Sequence, residues 1–454
     1  MNISNFIMLF LAILLFFSPY GFAEGKISKE TQTCLGCHEI VTPGIVKDWK
    51  NSTHSIKSYV GCAECHITKN TSRPDSYEHN GFRIHTIVTP YDCARCHPEE
   101  AEQYSKNLMA YAYGNLVNNK LYRDLMNTIN GVYKIEKKGY SIKSVTPLTE
   151  EDSCLSCHGT RIEIEGLKNK ETYFGNMKLP VIKGWPNTGV GRINPDGSKG
   201  SCSACHTRHS FSTDIARTPE SCSRCHKGPD VPAYKVYSVS KHGKIYHSRK
   251  QNAPTCATCH ISQINVNGQV ILKRTHQVSD RLPHRLFGVP YATAHPKSPD
   301  TTIARNKAGL PLFSELTGQP VTEYLIDENE QKVRLNRMKS VCSICHATSF
   351  IDRHFERLDE SIKTTNEMTV QATKLLLSAW EKGVANNKDG LFNETIENLW
   401  VEQWLFYANS VRLASAMGGA DLGVFENGRW NLSRNIQKMS DWIKFLERQK
   451  KNRK

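Results

Sequence analysis

Outside one repeated motif, this sequence has no cysteine at all. It has 454 residues and 16 cysteines, and every cysteine belongs to a Cys-x-x-Cys-His unit. That leaves no thiol over for a disulfide framework, which in any case has no reason to put His after every second Cys. It also argues against structural zinc, whose His ligands sit at varied offsets. Long apolar runs are equally scarce. The one candidate is Phe6 to Phe17, followed by Ser18-Pro19-Tyr20 and small residues up to Ala23. This reads as a secretory signal over residues 1–23, although no Lys or Arg precedes the run, and an uncleaved anchor is the alternative. After His354 there is no further Cys or His, and after Tyr407 no further Tyr. Acidic residues fall short of basic ones, for a formal net charge of +15.

What is there is the motif, eight times. The units begin at Cys34, Cys62, Cys93, Cys154, Cys202, Cys222, Cys256 and Cys342. Their second cysteines are Cys37, Cys65, Cys96, Cys157, Cys205, Cys225, Cys259 and Cys345. Their histidines are His38, His66, His97, His158, His206, His226, His260 and His346. Cys-x-x-Cys-His is the attachment signature of c-type haem: the two thiols add to the vinyl groups and the adjacent His binds the iron. Eight copies predict eight covalently bound c-type haems in an exported, periplasmic protein. Haem also explains the charge. Two propionates on each haem would bring roughly −8 to −16 in all, so the Lys and Arg excess is expected to face propionates and not the phosphates of a nucleic acid.

The spacing sets the fold class. From residue 34 to 346 there are about forty residues per motif, too few for a conventional core between haems. We therefore expect a mainly α protein: a multihaem cytochrome c domain over 24–352, its core made of haem packed among short helices and loops. Strand signals are sparse. Gly184–Gly200 and Pro283–Pro299 read as haem-covering loops. Residues 353–454 differ. Arg353 to Ala385, Asn393 to Met417 and Asn431 to Gln449 show helical periodicity, with breaks at Asp389-Gly390 and Gly418-Gly419. They predict a C-terminal three-helix module. The aromatics of its middle helix (Trp400, Trp404, Phe406, Tyr407) fit either a self-packing bundle or an oligomer interface.

Ten histidines lie outside the motifs: His54, His79, His85, His209, His242, His247, His276, His284, His295 and His354. A low-spin electron-transfer haem takes a second axial ligand, most often His. His209 follows His206 by three residues, too close to reach the far face of the same porphyrin, so as a ligand it binds a neighbouring haem. His354, eight residues after His346, is similar. His54 lies on a helix-like segment, and His242 in a short polar turn.

The order of motifs and several segments between them resemble the octahaem hydroxylamine oxidoreductase family. The resemblance lies in GVGRINPDGSKGSCSACHTRH (189–209), CSRCHKGPDVP (222–232), SKHG (240–243), EHNG (78–81), VTPYDCARCHP (88–98) and MGGAD (417–421). It implies seven bis-His haems forming a wire and a five-coordinate fourth haem, held by Cys154, Cys157 and His158, that faces substrate. It further implies His54, His79, His209, His242, His276 and His354 as distal ligands, with His85 as the seventh. His247, His284 and His295 are left over. A homotrimer built through the C-terminal helices is implied too.

Two departures from the family pattern bear on direction. Hydroxylamine-oxidising members carry a Tyr just after Met-Gly-Gly-x-Asp that bonds covalently to the catalytic porphyrin of a neighbouring subunit; here Leu422-Gly423-Val424 follows. The family's Gly-Pro-Asp-His is here Gly228-Pro229-Asp230-Val231, keeping the Asp and losing the His, for which His247 is a possible spatial replacement. An uncross-linked, open haem is expected to give electrons to substrate, with Asp230 relaying protons. The expectation is a nitrite reductase yielding nitric oxide, hydroxylamine or ammonium. It would be fed by a separate electron-transfer cytochrome or a membrane quinol-oxidising c-type cytochrome. Oxidation of hydroxylamine or hydrazine, and an electron conduit without catalysis, are the alternatives.

Overall fold

The computed structural model describes residues 26–452 except 138, 187–188, 250–252, 303–315, 387–391 and 420. The expected signal, the Asp389-Gly390 break and part of 417–421 lie outside these. The chain forms two compact units. Among the described residues no helix is long and apolar enough to cross a membrane.

The first unit runs to Ile67 and includes Arg208–Phe211. It contains the helices Lys29–Val41, Pro43–Lys50, Thr53–Ser58 and Cys62–His66. Each start has a local cause. Ser28 accepts from the Thr31 amide, Pro43 opens the second helix, and Ser52 accepts from the Ser55 amide. Val46 and Trp49 are buried, and Trp49 Nε1 donates to the Val60 carbonyl at 2.9 Å. Gly61 lies flat on Thr31: a Cβ there would meet the Thr31 side chain at 2.3 Å. Glu64 accepts from both the Gly61 amide (2.7 Å) and Thr31 Oγ1 (3.1 Å), tying the second motif to the first helix.

The second unit covers Thr68–Thr207 and everything from Ser212 on. Among the described residues its strands form five separate antiparallel pairs: Ser76–His79 with Phe82–His85, Val132–Glu136 with Gly139–Lys143, Glu163–Thr172 with Gly175–Lys183, Ile264–Val266 with Gln269–Leu272, and His284–Arg285 with Thr293–Ala294. Strand is thus commoner than the sequence suggests. The Glu163–Thr172 pair is mostly exposed on both faces, so it has no buried side to impose apolar alternation. The segment 283–299, expected to be loop, holds the last pair. His242 is in the first turn of the helix Lys241–Ser248, capped by Ser240, and not in a turn.

Long helices come at the end: Glu328–Cys342, Thr348–Glu381 and Arg429–Asn452. Between the last two, Thr395–Val401 passes through a π-helical stretch, Glu402–Ala408, into Asn409–Met417. The first predicted C-terminal helix starts at Thr348, so the 352/353 boundary falls within it. The largest apolar cluster lies among these helices and contains Leu376, Ile396, Trp400, Trp404, Met439 and Ile443. Thr365, Thr369 and Thr373 recur every fourth residue on the buried face of Thr348–Glu381. Their hydroxyls donate to carbonyls one turn back, which satisfies them without another element. Thr373 Oγ1 also accepts from Trp400 Nε1 at 2.9 Å. Trp400 and Trp404 are therefore buried within the bundle, while Phe406 and Tyr407 are half-buried.

Candidate haem centres

A helical turn is what makes the motif usable. Its cysteines, three apart, share a face, and its His lies one turn beyond the first Cys. Cys62–His66, Cys154–His158 and Cys256–His260 are five-residue helices consisting of the motif alone. Elsewhere the same turn is closed by the amide of His97 to Cys93 O (2.9 Å), His206 to Cys202 O (3.0 Å), His226 to Cys222 O (2.9 Å) and His346 to Cys342 O (3.0 Å).

Neighbouring motifs meet through their sulfurs. In the first unit Cys34 and Cys62 lie close enough to perturb each other's thiols. In the second, Cys93 pairs with Cys202, Cys157 with Cys225, and Cys222 with Cys256. Cys205 also feels Cys222, and Cys259 feels Cys342. The spatial order in this unit is therefore third, fifth, sixth, seventh, eighth, with the fourth motif joined as a side branch at the sixth.

Three imidazole pairs face each other: His66 with His209 at 6.5 Å between ring centroids, His206 with His276 at 6.4 Å, and His242 with His346 at 6.0 Å. Two imidazoles on opposite sides of one iron, each nitrogen about 2 Å from it, would have centroids about 6 Å apart. The pairs fit a haem iron between them. Metal binding also needs neutral imidazole. Burial lowers the pKa of His38, His158, His226, His209, His242, His276 and His354, and takes His260 down to about 4.

His158 has a different setting. Its Nδ1 is 3.3 Å from the Ala112 carbonyl, a contact that directs Nε2 outward. Three glycines make that approach possible. A Cβ on Gly191 would meet His158 O at 2.6 Å and Ala112 N at 2.7 Å. One on Gly189 would meet the Gly159 amide at 2.3 Å, and Gly159 itself has φ +92°. Asn130 Nδ2 lies 3.9 Å from Cys154 Sγ. Among the described residues no second imidazole is in ring contact with His158. Burial dominates its ring, opposed by the Ala112 carbonyl and by the charge of Asp230, which also reaches Cys157 and His226.

Asp230 sits in the bend between the sixth motif and the helix Ala233–Val239. Its backbone carbonyl accepts from Asn409 Nδ2 at 2.7 Å, just past the π-helical stretch. Its Oδ1 rests over Gly228, where a Cβ would come within 2.4 Å. It is not the cap of the following helix, whose N-cap is Pro232.

This geometry has counterparts among known proteins. A family model described as "Seven times multi-haem cytochrome CxxCH" matches residues 194–280, and one described as "Cytochrome c554 and c-prime" matches residues 92–175. A solved "Hypothetical multiheme protein" is 37% identical, with a TM-score of 0.85 over 94% of this chain and 97% of that one. The chain is a multihaem cytochrome c. One curated relative is a "Probable nitrite reductase-hydroxylamine oxidoreductase fusion protein" from Kuenenia stuttgartiensis, 26% identical over 72% of this chain. The chain spans about a third of that relative's length (35%). The fold also matches a chain of a "reducing HAO-like protein complex" from the same organism, with a TM-score of 0.63 at 18% identity, covering 93% of this chain and 86% of that one.

The remaining histidines of this cytochrome divide by their contacts. His284 has both ring nitrogens engaged, Nε2 with Asp359 and Nδ1 with Gln331, each at 3.2 Å. His85 places Nε2 3.2 Å from Asp92 Oδ2. Burial alone would raise the Asp92 pKa, but His85, the Thr89 amide and Arg73 together hold it well below the usual carboxylate range. His85 thus braces the entry to the third motif. His54 packs against Phe211, His79 against Tyr77 and His354 against Phe355, with His354 also close enough to feel His346 and His242. His295 is buried, and that burial, with Arg285 and Arg334, pushes it down to about 3. His247 is exposed in the last turn of its helix, beside Tyr246. Sequence reasoning missed the Ala112 carbonyl and Asn409. Neither has a sequence signal, because one acts through its backbone and the other from a helix 179 residues past Asp230.

Proposed function

We propose that this cytochrome is an exported octahaem oxidoreductase that reduces nitrite at its fourth motif, giving nitric oxide, hydroxylamine or ammonium. The observation that carries the reading is the contrast at His158: it ends a side branch of the motif chain, with the Ala112 carbonyl at its Nδ1 and Asp230 within electrostatic reach, where His66, His206 and His346 face a second imidazole. A c-type haem held there by Cys154, Cys157 and His158 would supply electrons and an open coordination position.

The chain's own residues supply the rest. Ala112 O fixes the His158 ring so that Nε2 is the ligating nitrogen. Nitrite reduction consumes protons, two for the one-electron step to nitric oxide and eight for the six-electron step to ammonium. Asp230 is placed to carry them, held by Asn409 at its backbone. His247, exposed, is a candidate for handing protons in from solvent. Leu422-Gly423-Val424 stands where the resemblance would put the cross-linking Tyr, and this supports donation of electrons to substrate. The other haems would be bis-His. His209 would serve the second motif, His276 the fifth and His242 the eighth, with His54, His79, His354 and His85 supplying the others. Electrons would come from a separate cytochrome, and the chain would assemble as a homotrimer.

The alternative within the same fold is hydroxylamine oxidation, which the printed name of the Kuenenia relative also includes. The test is turnover by the purified holoprotein. With reduced viologen as donor, nitrite should disappear and a reduced nitrogen product accumulate, and the reduced spectrum should show only ordinary c-type α-bands. Faster electron release from hydroxylamine than uptake by nitrite, with a band well to the red, would reverse the direction proposed.

A further inference from the structure

The basic residues were expected to face haem propionates, yet the buried arginines of the second unit mostly brace backbone. Arg192 donates Nη2 to the Val88 carbonyl and Nε to Asn194. Arg281 donates to the carbonyls of Cys259, Ser262 and Lys273. Arg334 reaches the Ser279 carbonyl and Glu330, and Arg412 the carbonyls of Leu286, Val289 and Pro290. Each holds a loop closed.

Arg285 differs. It lies on the two-residue strand His284–Arg285, and its Nη1 is sealed from solvent with no hydrogen-bond partner. Its titratable surroundings provide no counter-ion. Tyr122, the group acting on it, spends its hydroxyl on the Gly288 carbonyl at 2.9 Å, and the nearby His295 is held neutral by burial and by two arginines. A guanidinium nitrogen sealed from water with an unused donor is costly, because it has lost water and gained nothing in exchange. The location limits what can supply the missing acceptor. Phe287, two residues on, sets its ring 5.8 Å from His226, the sixth-motif histidine that shares the Asp230 carboxylate with His158.

We propose that Arg285 Nη1 holds a small two-oxygen anion on the side of the strand that carries Phe287 toward the sixth motif. Nitrite and a haem carboxylate share this chemistry: each is a planar anion offering two oxygens to the guanidinium fork. The inference rests on the motifs carrying haem, and its nitrite arm rests on the proposed function.

The experiment compares wild-type holoprotein with Arg285→Gln and Arg285→Lys. Two quantities are read: the dissociation constant of sodium nitrite from optical titration of the oxidised protein, and the haem midpoint potentials from spectroelectrochemistry. If the anion is nitrite, Arg285→Gln raises the nitrite dissociation constant about ten- to a hundred-fold and leaves the potentials in place. If it is a haem carboxylate, the variant lowers one midpoint potential with nitrite affinity unchanged. Should Arg285→Gln fail to assemble haem, Arg285→Lys carries the test, since it keeps the charge but loses the fork and should show a smaller change of the same kind. Unchanged affinity and unchanged potentials overturn the proposal. A wild type that binds no nitrite contradicts the proposed function separately, and the potentials then decide Arg285 alone.

Discussion

His206 and His158 end identical motifs but lie in different surroundings. His206 has a second imidazole, His276, at 6.4 Å, whose backbone is fixed by Gln103 and Asn107. His158 has the Ala112 carbonyl behind it and Asp230 near it. The motif determines attachment, and the surroundings determine what the attached group can do. A site with two imidazoles is closed to ligands and suited to passing electrons, whereas a site with one imidazole and a carboxylate can take a ligand and a proton.

The largest effect that should separate the two sites comes from removing the single ligand. His158→Ala should cut nitrite reduction by about a thousand-fold or more, whereas His276→Ala should open the fifth site to nitrite and leave the fourth able to bind it. Steady-state rates and nitrite difference spectra read both. Next is the proton. Asp230→Asn should lower turnover by about a hundred- to ten-thousand-fold and flatten its pH profile, with haem content unchanged. Gly228→Ala should have a milder form of the same effect, about ten-fold, because the new Cβ would meet Asp230 Oδ1 at 2.4 Å and the carboxylate must shift. The His206 site serves as the control for His158→Ala, Asp230→Asn and Gly228→Ala: its spectrum should not move in any of them.

Two predictions concern stability. Asp92 has its pKa lowered in the folded state, so its contribution is present above the unfolded value, about pH 4, and is lost as the pH falls toward the folded one. Asp92→Asn should therefore cost about 3 kcal/mol near neutrality and much less in acid, by denaturant unfolding at several pH values. Thr373→Val strands the Trp400 Nε1 donor and should cost about 1–3 kcal/mol with the haem spectrum intact.

Much of the attachment chemistry was legible in the sequence, because Cys-x-x-Cys-His is a local signal that a single turn of helix satisfies. The long helices were legible for a similar reason: Leu376, Ala379 and Trp380 repeat at helical spacing. The spatial order of the motifs was not, since Cys93 and Cys202 meet across more than a hundred residues. The exposed hairpin at Glu163–Thr172 was missed because neither face is buried, and the His284–Arg285 strand because two residues carry no period. Nε2 of His85 is set by Asp92, and both ring nitrogens of His284 by Asp359 and Gln331, which the spacing of the histidines does not reveal.

The difference between the two kinds of site is most directly measured by electron paramagnetic resonance of the fully oxidised holoprotein, before and after nitrite. One high-spin ferric signal among low-spin ones, converted by nitrite and lost in His158→Ala, is the predicted result. A spectrum that is low-spin throughout and indifferent to nitrite would contradict an open site at the fourth motif.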